Sequence, residues 1–409
     1  MSSLAVDVVR GVDGFQALRR EWEALFDAQP SASPFMSYDW MAAWQATIGV
    51  GGQPVIVCAR DAGRLVGLLA LSERTSPVMG MPVRRLSFMG ERLVAADGLD
   101  VLAHPGCARP ATAAIVERLA SEPIDLLALD GLPADSAMLQ VLAWQLGADA
   151  QRAYTLATHQ ICPYLDLGAG WEEVLSRSRR PHQFGRLLRN LAGLHGFESR
   201  AITEPGLAGA ALERLLALHD RRWAAQGGSD AMTRPSIRDF HRRVVPALAE
   251  RGMVRFEELW VEGACRATYY GFARGDHYWL YQTGYDPSWA RKSVAFVRMG
   301  LSIKEAVARG VTYYDFLRGT EAYKFDWAVG ARVTLRVQAV GARPAARLLA
   351  TVRQLRAAVE TGVEAIVPRH SLDLLRRWRR ARDRARQEEA PTLTLSRTRG
   401  REHEAREPV

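Results

Sequence analysis

Apolar and polar positions in the first half of the chain change their period twice. Residues 14–28 repeat with a helical period, and a second helix is predicted near SPFMSYDWMAAW after a proline-containing break. Two β-rich runs over 54–73 flank a turn at 61–64, which is typical of a hairpin, and RRLSFMG adds a strand. A strand at LDVLA, a helix over 109–120 and a strand at IDLLALDGLP then predict a parallel βαβ unit.

The second half of the chain repeats this order of elements. Helices near 207–226 and 237–251 precede a meander over 253–275, which leads through HYWLYQTGYDP and a helix over 293–309 to the strand VTYYDFLRG. RVTLRVQAVG alternates as a further strand. We infer an internal duplication, and we expect an α/β fold with a mixed sheet.

The same patterns predict the domain organisation. We expect an N-terminal domain over 1–165, a basic helical bridge over 166–200, a similar C-terminal domain over 201–345 and a basic helical extension with a polar end over 346–409.

Composition excludes several classes of protein. With 409 residues, 48% of them apolar and 24% charged, the chain has an ordinary globular composition. No apolar run approaches the roughly 18 to 20 residues that span a bilayer, and the N-terminus lacks a signal-peptide core, so we expect a cytoplasmic protein. The four cysteines are scattered and no histidine follows zinc-ligand spacing, so no metal site is expected.

The net charge of +9 does not indicate DNA binding, because it is concentrated in the tail. From Arg369 onward, twelve arginines face seven acidic residues, which gives +5 of the +9. Leu372, Leu375 and Trp378 share a helical face among these arginines. This pattern suits peripheral contact of residues 369–409 with an anionic inner-membrane face, although a short basic helix in solvent is the simpler explanation.

Common catalytic signatures are absent: the sequence has no GxGxxG, Walker, HExxH or GxSxG motif. A loop with two adjacent cations, Arg291 and Lys292, instead opens the helix at Ser293. A helix N-terminus attracts phosphate, so this loop is a candidate pyrophosphate site. The alternative is an ordinary capped helix with solvated cations.

Ionisable and aromatic residues are dense in 313–327, after the last strand of the second βαβ unit. Asp315, Glu321 and Lys324 could supply a general base, a partner and a cation at the edge where α/β sheets bind ligands. An internal ion-pair network that ties the loop to the sheet is the alternative. His219 and Trp223 share a face of the preceding helix beside Arg222, where a packing role competes with a catalytic one.

The string YDFLRGTEAYKFDW, with the GYDP loop and LHDRRW, resembles the CelD-type branch of the GNAT acyltransferases, which is associated with cellulose and exopolysaccharide synthesis. The resemblance spans about residues 15 to 340. It implies tandem GNAT domains, similar also to Fem-type aminoacyl transferases, and transfer of an acyl group, expected to be acetyl, from acyl-CoA to a sugar or cell-envelope precursor.

The resemblance also implies roles for individual residues. Asp315 or Glu321 would act as the base, with His219 as a second candidate, and Lys324 and Arg318 would hold an anionic group. The residues expected to contact the donor are Gln282, Gly284, Arg291, Lys292 and Ser293, and those expected to contact substrate are Arg222, Trp223, Tyr285, Asp286, Arg318 and Tyr323. The start of the helix departs from the family pattern, because Lys292-Ser293-Val294-Ala295 replaces a glycine-containing turn.

Two other functions stay open at this point. A Fem-like enzyme would use aminoacyl-tRNA, for which the basic stretch 177–189 would follow the RNA backbone. A non-catalytic scaffold in polysaccharide assembly would keep the fold without the donor site.

Overall fold

A computed structural model of the chain describes residues 4–78, 80–91, 93–148, 153–224, 230–341, 343–348 and 351. Within these ranges it does not describe the side chains at 78, 146–148, 153, 223–224 and 230–231. The predicted membrane-contacting segment 369–409, and most of the extension 346–409, lie outside the described residues.

The first half contains seven strands and five α-helices among its described residues. They are β1 (Ala5–Arg10), α1 (Gly11–Ala17), α2 (Arg19–Asp27), α3 (Tyr38–Thr47), β2 (Gln53–Asp61), β3 (Arg64–Val78), β4 (Met81–Phe88), β5 (Leu102–Ala103), α4 (Ala108–Ala120), β6 (Leu126–Pro133), α5 (Ala137–Ala148) and β7 (Ala153–Asp166). The predicted hairpin is present, and its two central residues, Ala62 and Gly63, both have positive φ, as a tight two-residue turn requires.

The second half follows with the elements that carry the predicted loop and motif. They are α6 (Trp171–Arg177), α7 (Pro181–Ala192), β8 (Glu198–Ile202), α8 (Pro205–Ala224), α9 (Asp230–Thr233), α10 (Pro235–Glu250), β9 (Val254–Val261), β10 (Ala264–Arg274), β11 (His277–Tyr285), α11 (Val294–Ala308), β12 (Tyr313–Asp315) and β13 (Gly330–Val340). A short 3-10 helix, Pro287–Lys292, precedes α11.

All of these strands belong to one mixed sheet in the order β1-β2-β3-β4-β6-β13-β7-β12-β11-β10-β9-β8, with β5 paired to β3. Each half contains one parallel pair, β4 with β6 and β11 with β12. The parallel partner of β6 was predicted wrongly. It is β4, whereas the LDVLA strand is the two-residue β5, which pairs antiparallel with β3.

The two halves exchange strands at the centre of the sheet. β13, from the end of the second half, lies between β6 and β7 of the first half, and β7 pairs on its other side with β12. The main hydrophobic core correspondingly contains side chains from both halves, including Trp22, Trp40, Phe240 and Phe272. A second core, with Tyr278, Met299, Tyr314 and Trp327, lies beside α11. In the described part of the chain no helix is long and apolar enough to cross a membrane.

Candidate active site

The parallel strands β11 and β12 separate at the edge where the sequence placed the site. They pair only from His277 opposite Tyr313 to Trp279 opposite Asp315. β11 continues to Tyr285, while the chain leaves β12 for the motif loop 316–325. In the described residues no strand therefore pairs with 280–285 on the β12 side. Backbone groups on an unpaired strand edge are available to a ligand.

A cavity of about 330 Å³ lies where β11 ends and α11 begins; we call it the first cavity. The guanidinium carbon of Arg222, on α8, lies 4.9 Å from the centroid of the Tyr285 ring. The first cavity is lined by Arg180, Arg222, Tyr269, Tyr285, Ala290, Ser293, Val294, Ala295, Phe296, Met299, Ala322, Tyr323, Asp326 and Trp327. The structure thus brings Arg222, Tyr285, Ser293 and Tyr323 together, although they were selected from separate motifs.

Two side chains give the first cavity hydrogen-bond donors. Burial raises the pKa of Tyr323 to about 12, with Glu321 adding to the effect and Arg222 and a hydrogen bond with Thr283 opposing it. Its phenol is therefore protonated at neutral pH. The indole Nε1 of Trp327 is buried and has no hydrogen-bond partner in the part of the chain that the structure describes.

The start of α11 has an unusual backbone at Ser293. This residue has φ 57° and ψ 36°, the left-handed conformation that glycine adopts without strain, and its side chain does not cap the helix. Serine therefore forms the turn for which the family pattern uses glycine. Arg291 and Lys292 are exposed, and the Lys292 Nζ lies 4.2 Å from the centroid of the Trp289 ring. Neither cation lines the first cavity.

The remaining candidates on β11 and its loop have local partners. The Gln282 Oε1 accepts a hydrogen bond from the Thr283 backbone. Gly284 lets α8 approach the strand, because a Cβ there would lie 3.2 Å from the Leu218 Cβ. Asp286 is buried and accepts hydrogen bonds from Ser288 N and Oγ and from Arg266. Burial raises its pKa, but these bonds outweigh burial and leave the pKa lowered.

The motif loop 316–325 is held by its own charged side chains. The Lys324 Nζ is buried, donates to the Arg318 carbonyl at 2.5 Å and lies 3.0 Å from Glu321 Oε2. Arg318 turns to the first half, where its backbone N, Nε and Nη2 all contact the buried Asp97. Gly319 has φ 117°, a conformation that favours glycine. The contacts of Lys324, Glu321 and Arg318 are those of the internal ion-pair network considered above.

Asp315 lines a different cavity of about 290 Å³, the second cavity, which both halves build. Its Oδ1 accepts a hydrogen bond of 2.7 Å from Leu317 N. Burial raises the pKa of Asp315 to about 7 and the charge of Asp97 adds to this, while the Leu317 hydrogen bond, Arg332 and Lys324 oppose it. A carboxyl group with this pKa can accept a proton at neutral pH.

His219 and Trp223 complete the predicted set. His219 is buried on α8 and lines neither cavity; burial lowers its pKa to about 4, so its imidazole is neutral. Trp223 belongs to α8, but its side chain is outside the described part of the structure.

Ten of the fourteen residues that line the first cavity were missed as site residues, and four of these ten form a charged and aromatic wall. Phe296, Asp326 and Trp327 form one wall with Arg180, whose Nε lies 3.4 Å from Asp326 Oδ1. Asp326 and Trp327 end the motif string itself, and Arg180 lies in the basic bridge. The motif string and the basic bridge were therefore already candidate segments, but nothing in the sequence indicated which of their side chains face the cavity.

The mixed sheet, with two parallel pairs and a cavity at a separating strand edge, is the α/β fold that the resemblance to GNAT acyltransferases predicts. Residues 177–325 match the family model for an acetyltransferase (GNAT) domain. The expectations of a GNAT-type fold and of a GNAT-family acyltransferase are therefore confirmed. The narrower resemblance to the CelD-type branch stays a prediction.

Among solved structures, FemX agrees with this chain at the level of the fold. The structure of FemX aligns with a TM-score of 0.58 and 12% identity, covering 81% of this chain and 98% of FemX. A tandem GNAT protein from the clavulanic acid biosynthesis pathway aligns over 83% of this chain and 99% of its own, with 14% identity and a TM-score of 0.40. No curated protein matches the sequence.

Proposed function

We propose that the protein transfers an acyl group, most simply acetyl, from acyl-CoA to an amine or hydroxyl group of a sugar or other cell-envelope or exopolysaccharide precursor. The observation that carries this proposal is the first cavity, which opens beside the unpaired edge of β11 and the N-terminus of α11. This is the place at which a GNAT domain is expected to hold its donor.

The residues of the first cavity fit an acyl-CoA donor. Arg222 brings positive charge to the helix N-terminus, where the helix dipole also favours phosphate. The left-handed Ser293 gives the turn its shape without glycine. The protonated phenol of Tyr323 is a donor that could stabilise charge on the thioester oxygen during transfer.

Asp315 is our first choice for the general base, because its pKa of about 7 suits proton removal from an acceptor. This role requires the acceptor to extend from the second cavity, which Asp315 lines, to a thioester held at the unpaired edge of β11. Glu321 is the second candidate, whereas the buried His219 lines neither cavity. In this proposal Lys324 and Arg318 are positioning residues that fix the loop between the two cavities.

Thermal unfolding with acetyl-CoA, longer acyl-CoAs and free CoA tests the donor. A ligand at about 100 times its dissociation constant adds roughly 2.7 kcal/mol of stability, so a true donor raises the melting temperature visibly. Arg222→Ala should abolish that rise, whereas Arg221→Ala, its exposed neighbour on α8, should keep it. A rise that both variants retain, or no rise with any CoA species, would refute the donor site.

Transfer from aminoacyl-tRNA is the second candidate. Two observations favour it: the FemX fold likeness, and Arg180, which places the basic bridge at the wall of the first cavity. An RNA donor predicts steep loss of binding between about 50 and 200 mM salt, whereas CoA should respond less. If neither donor binds at low salt, the non-catalytic scaffold becomes the better explanation.

Peripheral membrane contact through residues 369–409 is a separate part of the proposal. Flotation with anionic liposomes should be lost when these residues are deleted. Equal flotation of both chains would reject the contact.

A further inference from the structure

Three potential metal ligands meet at the carboxyl ends of the parallel strands β4 and β6. They are Glu91, just after β4, Asp130 on β6 and His159 on β7. One ligand atom from each side chain lies within 4.8 Å of the other two, and all three residues are partly buried. Because these residues are far apart in the sequence and on different elements, no spacing motif could reveal the cluster.

Two β-bulges lie beside the cluster. Gly131 is an extra residue in β6, since Asp130 pairs with Arg336 and Leu132 with Leu335. His159 is an extra residue in β7, between Thr158 opposite Leu335 and Gln160 opposite Thr334. A bulge redirects a side chain from the regular alternation of its strand, and bulges are frequent next to functional sites. Gly131, with φ 85°, has the backbone freedom that its bulge needs.

The imidazole of His159 has the properties of a ligand. Its Nδ1 is buried and has no hydrogen-bond partner among the described residues. A buried polar atom without a partner costs free energy, which coordination would remove.

The two carboxylates of the cluster lie at different distances from arginine side chains. Asp130 is held by Arg336, with Nε at 2.5 Å from Oδ1, which orients the carboxylate as an outer partner of a metal ligand would. Arg318 is bound by Asp97 and comes only within 4.0 Å of Glu91.

We propose that Glu91, Asp130 and His159 bind one divalent transition-metal ion, with water at the remaining coordination positions. One nitrogen and two carboxylate oxygens suit Zn²⁺ or Mn²⁺. The ion would link the segment that follows β4 with the strands β6 and β7. This inference is independent of the acyl donor, because none of the three residues lines the first or the second cavity.

Isothermal titration calorimetry of the full chain, without an affinity tag and after treatment with chelator, tests the site with Zn²⁺ and Mn²⁺ separately. We expect one ion per chain for at least one of the two metals. His159→Ala and Glu91→Gln should each weaken its binding at least tenfold. His182→Ala removes an exposed histidine of α7 and serves as the matched control, with unchanged affinity.

Circular dichroism shows whether each variant is folded, and Co²⁺ supplies a second measurement. The visible absorption of bound Co²⁺ should change when His159 is replaced, because a nitrogen ligand is lost. The conservative Glu91→Gln variant keeps the test decisive if His159→Ala fails to fold. Absence of binding, or binding that these two variants leave unchanged, would overturn the proposal.

Discussion

Replacing Asp97 with Ala should destabilise the protein strongly, because this carboxylate joins the two halves at the motif loop. Its carboxylate accepts hydrogen bonds from the Arg318 backbone N at 2.9 Å and from Nε at 2.8 Å, and it lies 2.7 Å from Nη2. Its side chain is 5% exposed and that of Arg318 is 22% exposed, so water does not compensate either charge well.

The expected loss follows from leaving that guanidinium without its main partner. After the substitution Arg318 keeps the Ala96 carbonyl at 3.1 Å and the distant Glu91. Removing one member of a buried ion pair costs about 3 to 5 kcal/mol, and we expect the lower part of this range because Arg318 is not fully buried. Arg318→Ala should cost a comparable amount, because Asp97 keeps the backbone N of residue 318 as a donor but its carboxylate is the more deeply buried partner.

Urea denaturation followed by tryptophan fluorescence gives the free energy of unfolding. Glu213→Ala is the control: it breaks an ion pair with Arg242 whose side chains are about half exposed, and should cost about 1 kcal/mol or less. The double variant of Asp97 and Arg318 should lose less than the sum of the single losses. If Asp97→Ala costs no more than the control, our account of the junction is wrong.

Three further predictions concern the site and the sheet. Ser293→Gly should raise stability by about 0.5 to 1 kcal/mol, because relief of the left-handed strain exceeds the entropy cost of glycine; a lower melting temperature would contradict this. Asp315 has a folded-state pKa of about 7 against its usual 3.8, so the stability of the wild-type protein should fall as pH rises between these two values. Over the same range, Asp315→Asn should become more stable relative to the wild type. If Asp315 is the base, turnover of the wild type should rise through about pH 7 and should be lost in Asp315→Asn. If the difference in stability between the wild type and Asp315→Asn is the same at pH 8 as at pH 4, the burial argument is refuted. Truncation after residue 325 removes β13 and should abolish cooperative unfolding by circular dichroism, and a melting point within a few degrees of the full chain would oppose that expectation.

The sequence predicted most helices and both meanders, because their apolar positions follow one period over many residues. It missed β8, whose residues Glu198–Ile202 are almost all exposed and therefore lack alternation. It also missed β1 and β7. The strand exchange was beyond sequence reasoning, since β13 looks like any alternating strand and only the tertiary structure selects its neighbours, β6 and β7.

The site was predicted in part for a similar reason. Arg222, Tyr285, Ser293 and Tyr323 share one cavity because β11, α8 and the motif loop converge there. Asp315 is separated from them and lines the second cavity. Local motifs identified the chemically active residue types, whereas the direction of each side chain depends on long-range packing that the linear pattern does not contain.

The place of β13 between β6 and β7 sets an order for folding during synthesis. Until residues 330–340 leave the ribosome, the facing edges of β6 and β7 have no partner, and their backbone groups remain open to other strands. The first half must therefore wait through the translation of more than 150 residues for its last strand. Nascent chains of this protein should consequently depend on chaperones that shield strand edges, and translation pauses before residue 330 should increase aggregation.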